Sequence, residues 1–154
     1  MRLAGVDFDL RGRVQLASED PNTREFPRRI SQIRFERTCT SLQFLHGACR
    51  SETDGKRIGI YVVHFANGQK REVPIIYGQN IRAIHVQPDE SEAPPGLVEA
   101  WTGGNADETS ADRRIRLFKA KWKNPWPEAA VRSIEFASDL TKCAPFLVAI
   151  TAEP

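Results

Sequence analysis

The stretch that decides the fold runs from Arg57 to Tyr77 and reads RIGIYVVHFANGQKREVPIIY. Ile58, Ile60 and Val62 fall on one side of an extended chain, and Tyr61, Val63 and Phe65 on the other. Apolar residues on both faces predict a central strand covered on both sides, or one near an edge with a loop packed over it. Asn67-Gly68 follows, and Gln69 to Tyr77 is again extended. Because both turn residues tolerate positive φ, this spacing predicts a β-hairpin closed by a two-residue type I′ turn.

Outward from this hairpin the same punctuation repeats. Extended segments are predicted at Gly5 to Leu16, broken by a bend at Arg11-Gly12, and at Ile30 to Thr38, Ser41 to Ala48 and Ile81 to Val86. Others follow at Leu97 to Thr102, Ile115 to Trp122, Ala130 to Ala137 and Phe146 to Thr151. The acidic, proline-bearing Pro88 to Pro95 reads as an exposed loop, and the one helical candidate is a short turn near Glu128 to Val131. Strands recurring about every ten residues predict an all-β chain, an antiparallel two-sheet β-sandwich of jelly-roll type, with residues 1–154 as a single domain. The expected core is Phe8, Leu10, Ile33, Phe35, Leu42, Phe44, Ile60, Val62, Ile75, Leu117, Phe118, Ile134, Phe136, Phe146, Val148 and Ile150.

Twenty-two Lys and Arg against 20 Asp and Glu give a formal charge of +2 over 154 residues. Nucleic-acid binders and polybasic membrane proteins need clustered excess positive charge, so neither partner is expected. No stretch approaches the roughly 18 apolar residues of a membrane helix, and the first residues lack the apolar segment of a signal peptide. The three cysteines, Cys39, Cys49 and Cys143, are odd in number and form no CxxC pair. That speaks against a disulfide scaffold or zinc knuckle, and leaves Cys39 and Cys143 as small buried hydrophobes. The compartment stays open.

The order of the blocks carries a resemblance. GVDFDLRGRVQL at Gly5 to Leu16 is followed by SLQFLHGA at Ser41 to Ala48, IGIYVVHFANGQKREVPIIYGQNIR at Ile58 to Arg82 and AWTGGN at Ala100 to Asn105. IRLFKAKWKNPWPEAAVRSIEFAS and APFLVAIT complete the set. The succession resembles a galactose-binding-like β-sandwich module appended to planctomycete and verrucomicrobial regulatory, anti-sigma-like and secreted proteins. That resemblance implies a non-catalytic binding role, with sugars taken at loops on one end of the sandwich, and in some relatives a structural calcium. The chain departs from it at Ala83, Ile84 and His85, where the resemblance leads one to expect aromatic residues.

The candidate ligand-contacting residues are Trp126, Asn124, Asn105, Trp101, Asn80 and Arg82. An indole face stacks on the apolar face of a pyranose, and neighbouring amides grip hydroxyls. Trp126, set between Pro125 and Pro127, is expected to be at least partly exposed. Asp7 and Asp9, about 7 Å apart on one strand face, suit ion pairs with the nearby arginines, a calcium ion, or remotely the two carboxylates of a glycoside hydrolase. His46 and His64 sit in apolar strands, as hydrogen-bonded core residues or as a pair across neighbouring strands that, joined by a carboxylate, would hold a metal. Two basic stretches, Arg24 to Arg37 and Arg113 to Lys123, read as solvated faces; were they coplanar, they would suit an anionic glycan, a phosphate or an acidic partner surface. The charged Asp89 to Glu92 could equally be their counterpart within the chain. No catalytic constellation emerges, so the expectation is a carbohydrate-binding module, with a protein-interaction or regulatory domain as the alternative.

Overall fold

The computed structural model describes residues 1–104 and 114–154. A ribbon of β1 (Arg2–Leu3) and β2 (Val6–Asp7) comes first, then β3 (Val14–Gln15). The remaining strands are β4 (Arg29–Arg37), β5 (Ser41–Cys49), β6 (Arg57–Phe65), β7 (Lys70–Ile76), β8 (Val98–Gly103), β9 (Ile115–Lys123), β10 (Val131–Ser138) and β11 (Ala144–Glu153). They form two antiparallel sheets, β4-β10-β6-β7 and β3-β11-β5-β9-β8, packed as a sandwich. The all-β antiparallel expectation is met. Among the described residues no helix is long and apolar enough to cross a membrane.

Between the sheets lies an aromatic column. Tyr61 of β6 stacks on Phe44 of β5 at 4.1 Å between ring centroids and on Phe136 of β10 at 5.0 Å. Val63, Phe65 and Ile134 extend this core, so the inward face of β6 is Tyr61, Val63 and Phe65. The expected core named Ile60 and Val62; Val62 is buried but outside this cluster, and Ile60 is half-buried. With apolar residues on both faces, alternation gives the period and not the sign. Ile58 departs from its own parity because a register shift between Arg57 and Gly59 makes it the extra residue of a bulge, which turns it inward. Leu10 is exposed, and Ile33 and Phe35 are half-buried because β4 is an edge strand.

The strand covered on both faces is β5. Residues 41–48 are all buried. Leu42 and Phe44 meet the main core, while Leu45 lies under the β1–β2 ribbon in a second cluster with Leu3, Val6 and Phe8. Gln43 and His46 disguise this strand in the sequence. The segment 5–16 is not one strand, since only 6–7 and 14–15 pair, and 81–86 contributes isolated bridges rather than a strand.

The β6–β7 hairpin forms, with a different turn. Gly68 N–H donates to Phe65 O at 3.0 Å and Phe65 N–H to Gln69 O at 2.9 Å. Gly68 has φ +86°, whereas Asn67 is not among the residues with positive φ. This is a type I turn followed by a left-handed glycine, one residue longer than the type I′ loop expected. Asn67 instead uses its side chain, Oδ1 accepting from Gln69 N–H at 2.9 Å.

Candidate functional site

The register gives the sandwich two unlike ends. The first residues of β5 lie beside the last of β9 and β11, so short turns at 38–40, 66–69 and 124–130 share one end. Long connections at 16–28, 50–56, 77–97 and 139–143 gather at the other.

The loop end is organised by two buried arginines. After β7 the chain turns at Gly78 (φ +82°), where a Cβ would collide with the Asp54 side chain. Asn80 clips this turn, its Oδ1 accepting from Ile76 N–H at 2.9 Å and its Nδ2 donating to Pro74 O at 3.0 Å. Arg82, only 2% exposed, donates from Nη1 to Ser91 O at 2.8 Å and from Nη2 to Asp54 Oδ2 at 3.1 Å. Arg116 of β9 donates from Nε to Ala83 O at 3.0 Å and grips both carboxylate oxygens of Glu90. Burial alone would raise the Glu90 pKa, but the Arg116 hydrogen bonds and the charges of Arg116 and Arg82 outweigh it and hold the carboxyl below its ordinary range. The acidic loop is thus tied down from within.

Beside this scaffold opens a cleft of about 970 Å³. Asp20, Arg50, Ala83, His85, Gln87 and Lys142 are among its walls. Asp20 caps the 3₁₀ turn Pro21–Thr23, with Oδ1 accepting from Asn22 N–H at 2.9 Å, and Oδ2 pairs with Arg50 Nη2 at 2.7 Å. Arg50 leaves β5 in a left-handed conformation (φ +67°) and keeps 68% of its side chain exposed. Gln87 Nε2 donates to His85 O at 3.0 Å. Ala83 and His85, the positions that depart from the resemblance, therefore face the cleft. None of the four residues Asp20, Arg50, His85 and Gln87 was singled out as a ligand contact from the sequence. The signal available was that departure at Ala83 to His85.

The sequence-derived set divides between the ends. Trp126 lies at the turn end and is partly exposed as expected, but Phe65 meets it edge-on at 5.1 Å and the Arg71 guanidinium covers it at 4.2 Å. A notch of about 380 Å³ lies beside it, walled by Pro125, Pro127 and Asn67. Asn124 is buried and committed: Nδ2 donates to Cys39 O at 2.8 Å and Oδ1 accepts from Trp126 N–H at 2.9 Å. Asn80 and Arg82 sit at the loop end as scaffold, holding the turn and the Asp54–Ser91 contacts, with the buried Arg82 Nε left without a hydrogen-bond partner among the described residues. Trp101 is half-buried in β8, packed over Gly103 and against the second cluster. Asn105 and Arg113 lie outside the described residues.

Other expectations resolve structurally. Asp9 is outside any strand, so it does not share a strand face with Asp7; the two pair with Arg11 at 2.8 Å and Arg2 at 3.2 Å. Among the described residues no group of three His, Cys, Asp or Glu side chains could hold a metal. His46 lies inside the sandwich and His64 beside Glu135 on the opposite, outer face of β6's sheet, so the two imidazoles do not meet. Burial pushes up the thiols of Cys39, Cys49 and Cys143, the last to about 11, the reverse of what a nucleophilic thiolate needs. The two basic stretches lie on different sheets, β4 on one and β9 on the other. No family model matches the chain, and no curated protein or solved structure matches it either.

Proposed function

We propose that the chain is a non-catalytic carbohydrate-binding module of galactose-binding-like type, taking its ligand in the cleft at the loop end. The observation that carries this reading is the wall of that cleft. Asp20, Arg50 and Gln87 carry planar side chains of the kind that bonds vicinal hydroxyls, His85 adds a single ring donor or acceptor, and the loop bearing His85 and Gln87 is tied by the Arg82–Glu90–Arg116 network. Preorganisation of this kind limits the ordering cost of binding a flexible polar ligand. The cleft has no large aromatic wall, so a sugar there is held by hydrogen bonds rather than by stacking. The alternative, a protein-docking domain, is favoured by the proline-walled Trp126 notch at the opposite end.

A glycan array probed with wild type, an Arg50→Ala/Gln87→Ala double variant and Trp126→Ala tests both readings. Hits lost in the double variant and kept in Trp126→Ala support the cleft. Hits that vanish only with Trp126 overturn it, and an array with no hits removes the carbohydrate reading.

A further inference from the structure

At the tip of the β6–β7 hairpin, residues 66–70 are all exposed, so water and hydroxide reach the peptide that joins Asn67 to Gly68. The Asn67 side chain is folded back along that peptide. Its Oδ1 accepts from Gln69 N–H at 2.9 Å, two residues ahead, an Asx turn that holds the side-chain amide beside the Gly68 nitrogen. The same bond polarises the amide carbonyl, as a fixed donor does at any developing oxyanion. Gly68 has no side chain to shield its nitrogen, and nothing lies within 4 Å of the place a Cβ would take. Its N–H donates to Phe65 O at 3.0 Å, a bond at a hairpin tip, where local opening costs least.

The other described asparagines lack this combination. Asn124 precedes Pro125, whose nitrogen carries no hydrogen, and its buried amide is bonded to Cys39 O and Trp126 N–H. Asn80 precedes the buried, β-branched Ile81, and both ends of its amide are engaged, by Ile76 N–H and Pro74 O. Asn22 precedes Thr23, also β-branched, within the 3₁₀ turn Pro21–Thr23.

We infer that Asn67 is a site of spontaneous modification, at which water converts its side-chain amide to a carboxylic acid through a cyclic imide. Hydroxide removes the Gly68 N–H proton, and the nitrogen attacks Asn67 Cγ. The N–Cγ bond forms, the Cγ–Nδ2 bond breaks, and Nδ2 leaves as ammonia after taking a proton from water. Water then opens the imide ring. Addition at Cγ restores the ordinary chain with an aspartate at this position, and addition at the main-chain carbonyl leaves the chain running through Cγ as isoaspartate. The sum is amide plus water giving acid plus ammonia, with no change of oxidation state. The product puts an anionic group on the wall of the Trp126 notch, which Asn67 and Gln69 help to form. As isoaspartate it also adds a methylene to the backbone of the turn.

Incubation of the native chain in heavy-oxygen water at mildly alkaline pH, followed by peptide mapping in the mass spectrometer, tests this. The peptide holding Asn67 should lose its amide nitrogen and gain a heavy oxygen, as a mixture of aspartate and isoaspartate, and faster as pH rises. The peptides holding Asn22, Asn80 and Asn124 should keep their amides over the same interval. Asn67→Gln, which must close a larger ring, should abolish the change while near-ultraviolet circular dichroism stays that of wild type. The chain unfolded in guanidinium chloride sets the time scale. If it converts Asn67 and the native chain does not, the turn protects the amide and the proposal falls. Equal conversion at Asn22 or Asn80, or conversion in neither state, overturns it as well.

Discussion

His46 sits where a neutral imidazole is the only comfortable state. Its Nε2 faces Asn80 O at 2.8 Å, and a carbonyl only accepts, so Nε2 carries the proton. Nδ1 then accepts from the Tyr61 hydroxyl at 2.9 Å. Burial lowers its pKa from 6.5 to about 4, against a smaller opposing effect of the Asn80 bond. Between those values the unfolded chain binds a proton that the native state does not, so stability rises with pH across the window. It is fully present above 6.5 and is lost as pH falls toward 4, by up to about 3 kcal/mol. Urea unfolding of wild type and His46→Gln over that range should give a steeper loss for wild type; parallel curves would refute the buried neutral state. Glu90 is the opposite case, a charge whose surroundings were built for it. Glu90→Gln leaves Arg116 without its carboxylate partner and should cost about 3–5 kcal/mol in thermal unfolding. A variant as stable as wild type would show that Asp54 and Ser91 suffice to hold the loop.

At the scale of elements, the β6–β7 hairpin was legible because Asn-Gly between two β-rich runs is a local signal. Its loop length was not, since a type I turn with a left-handed glycine and a type I′ turn accept the same pair of residues. Gly68 remains the residue the turn cannot replace. Its φ of +86° disfavours any β-branched side chain, although a Cβ there would meet nothing within 4 Å. Gly68→Val should therefore destabilise by about 1–3 kcal/mol, through backbone strain alone. At roughly 2–4 °C per kcal/mol for a chain of this size, calorimetry resolves it. An unchanged melting temperature would refute the turn geometry. Pro74 tells a similar story. Without an N–H it belongs on an edge, and β7 is the edge of its sheet.

Over the whole molecule, most pairings join distant parts of the chain. β4 pairs with β10, about a hundred residues later, and Ser41 stands opposite Glu153. Among the pairings within the two sheets, only β6–β7 and β8–β9 link strands consecutive in the chain. Loop closure must precede the contacts that stabilise it, so refolding should fall in the millisecond-to-second range. A microsecond relaxation in temperature jump would contradict this topology.

What the sequence determined alone was local. Alternating apolar residues and turn pairs set the strand class, most strand positions and the central hairpin, because extended chain and tight turns depend on neighbours a few residues away. Tertiary structure decided which face of each strand is inside. It buried Tyr61 rather than Ile60, and enclosed β5 despite its Gln43 and His46. It also drew Asp20, Arg50, and His85 with Gln87 from three separate parts of the chain to one cleft, while Arg82 and Asn124 became scaffold. A polar residue looks the same in sequence whether its partners are protein or ligand. Only the folded chain determines which of its hydrogen bonds are already made.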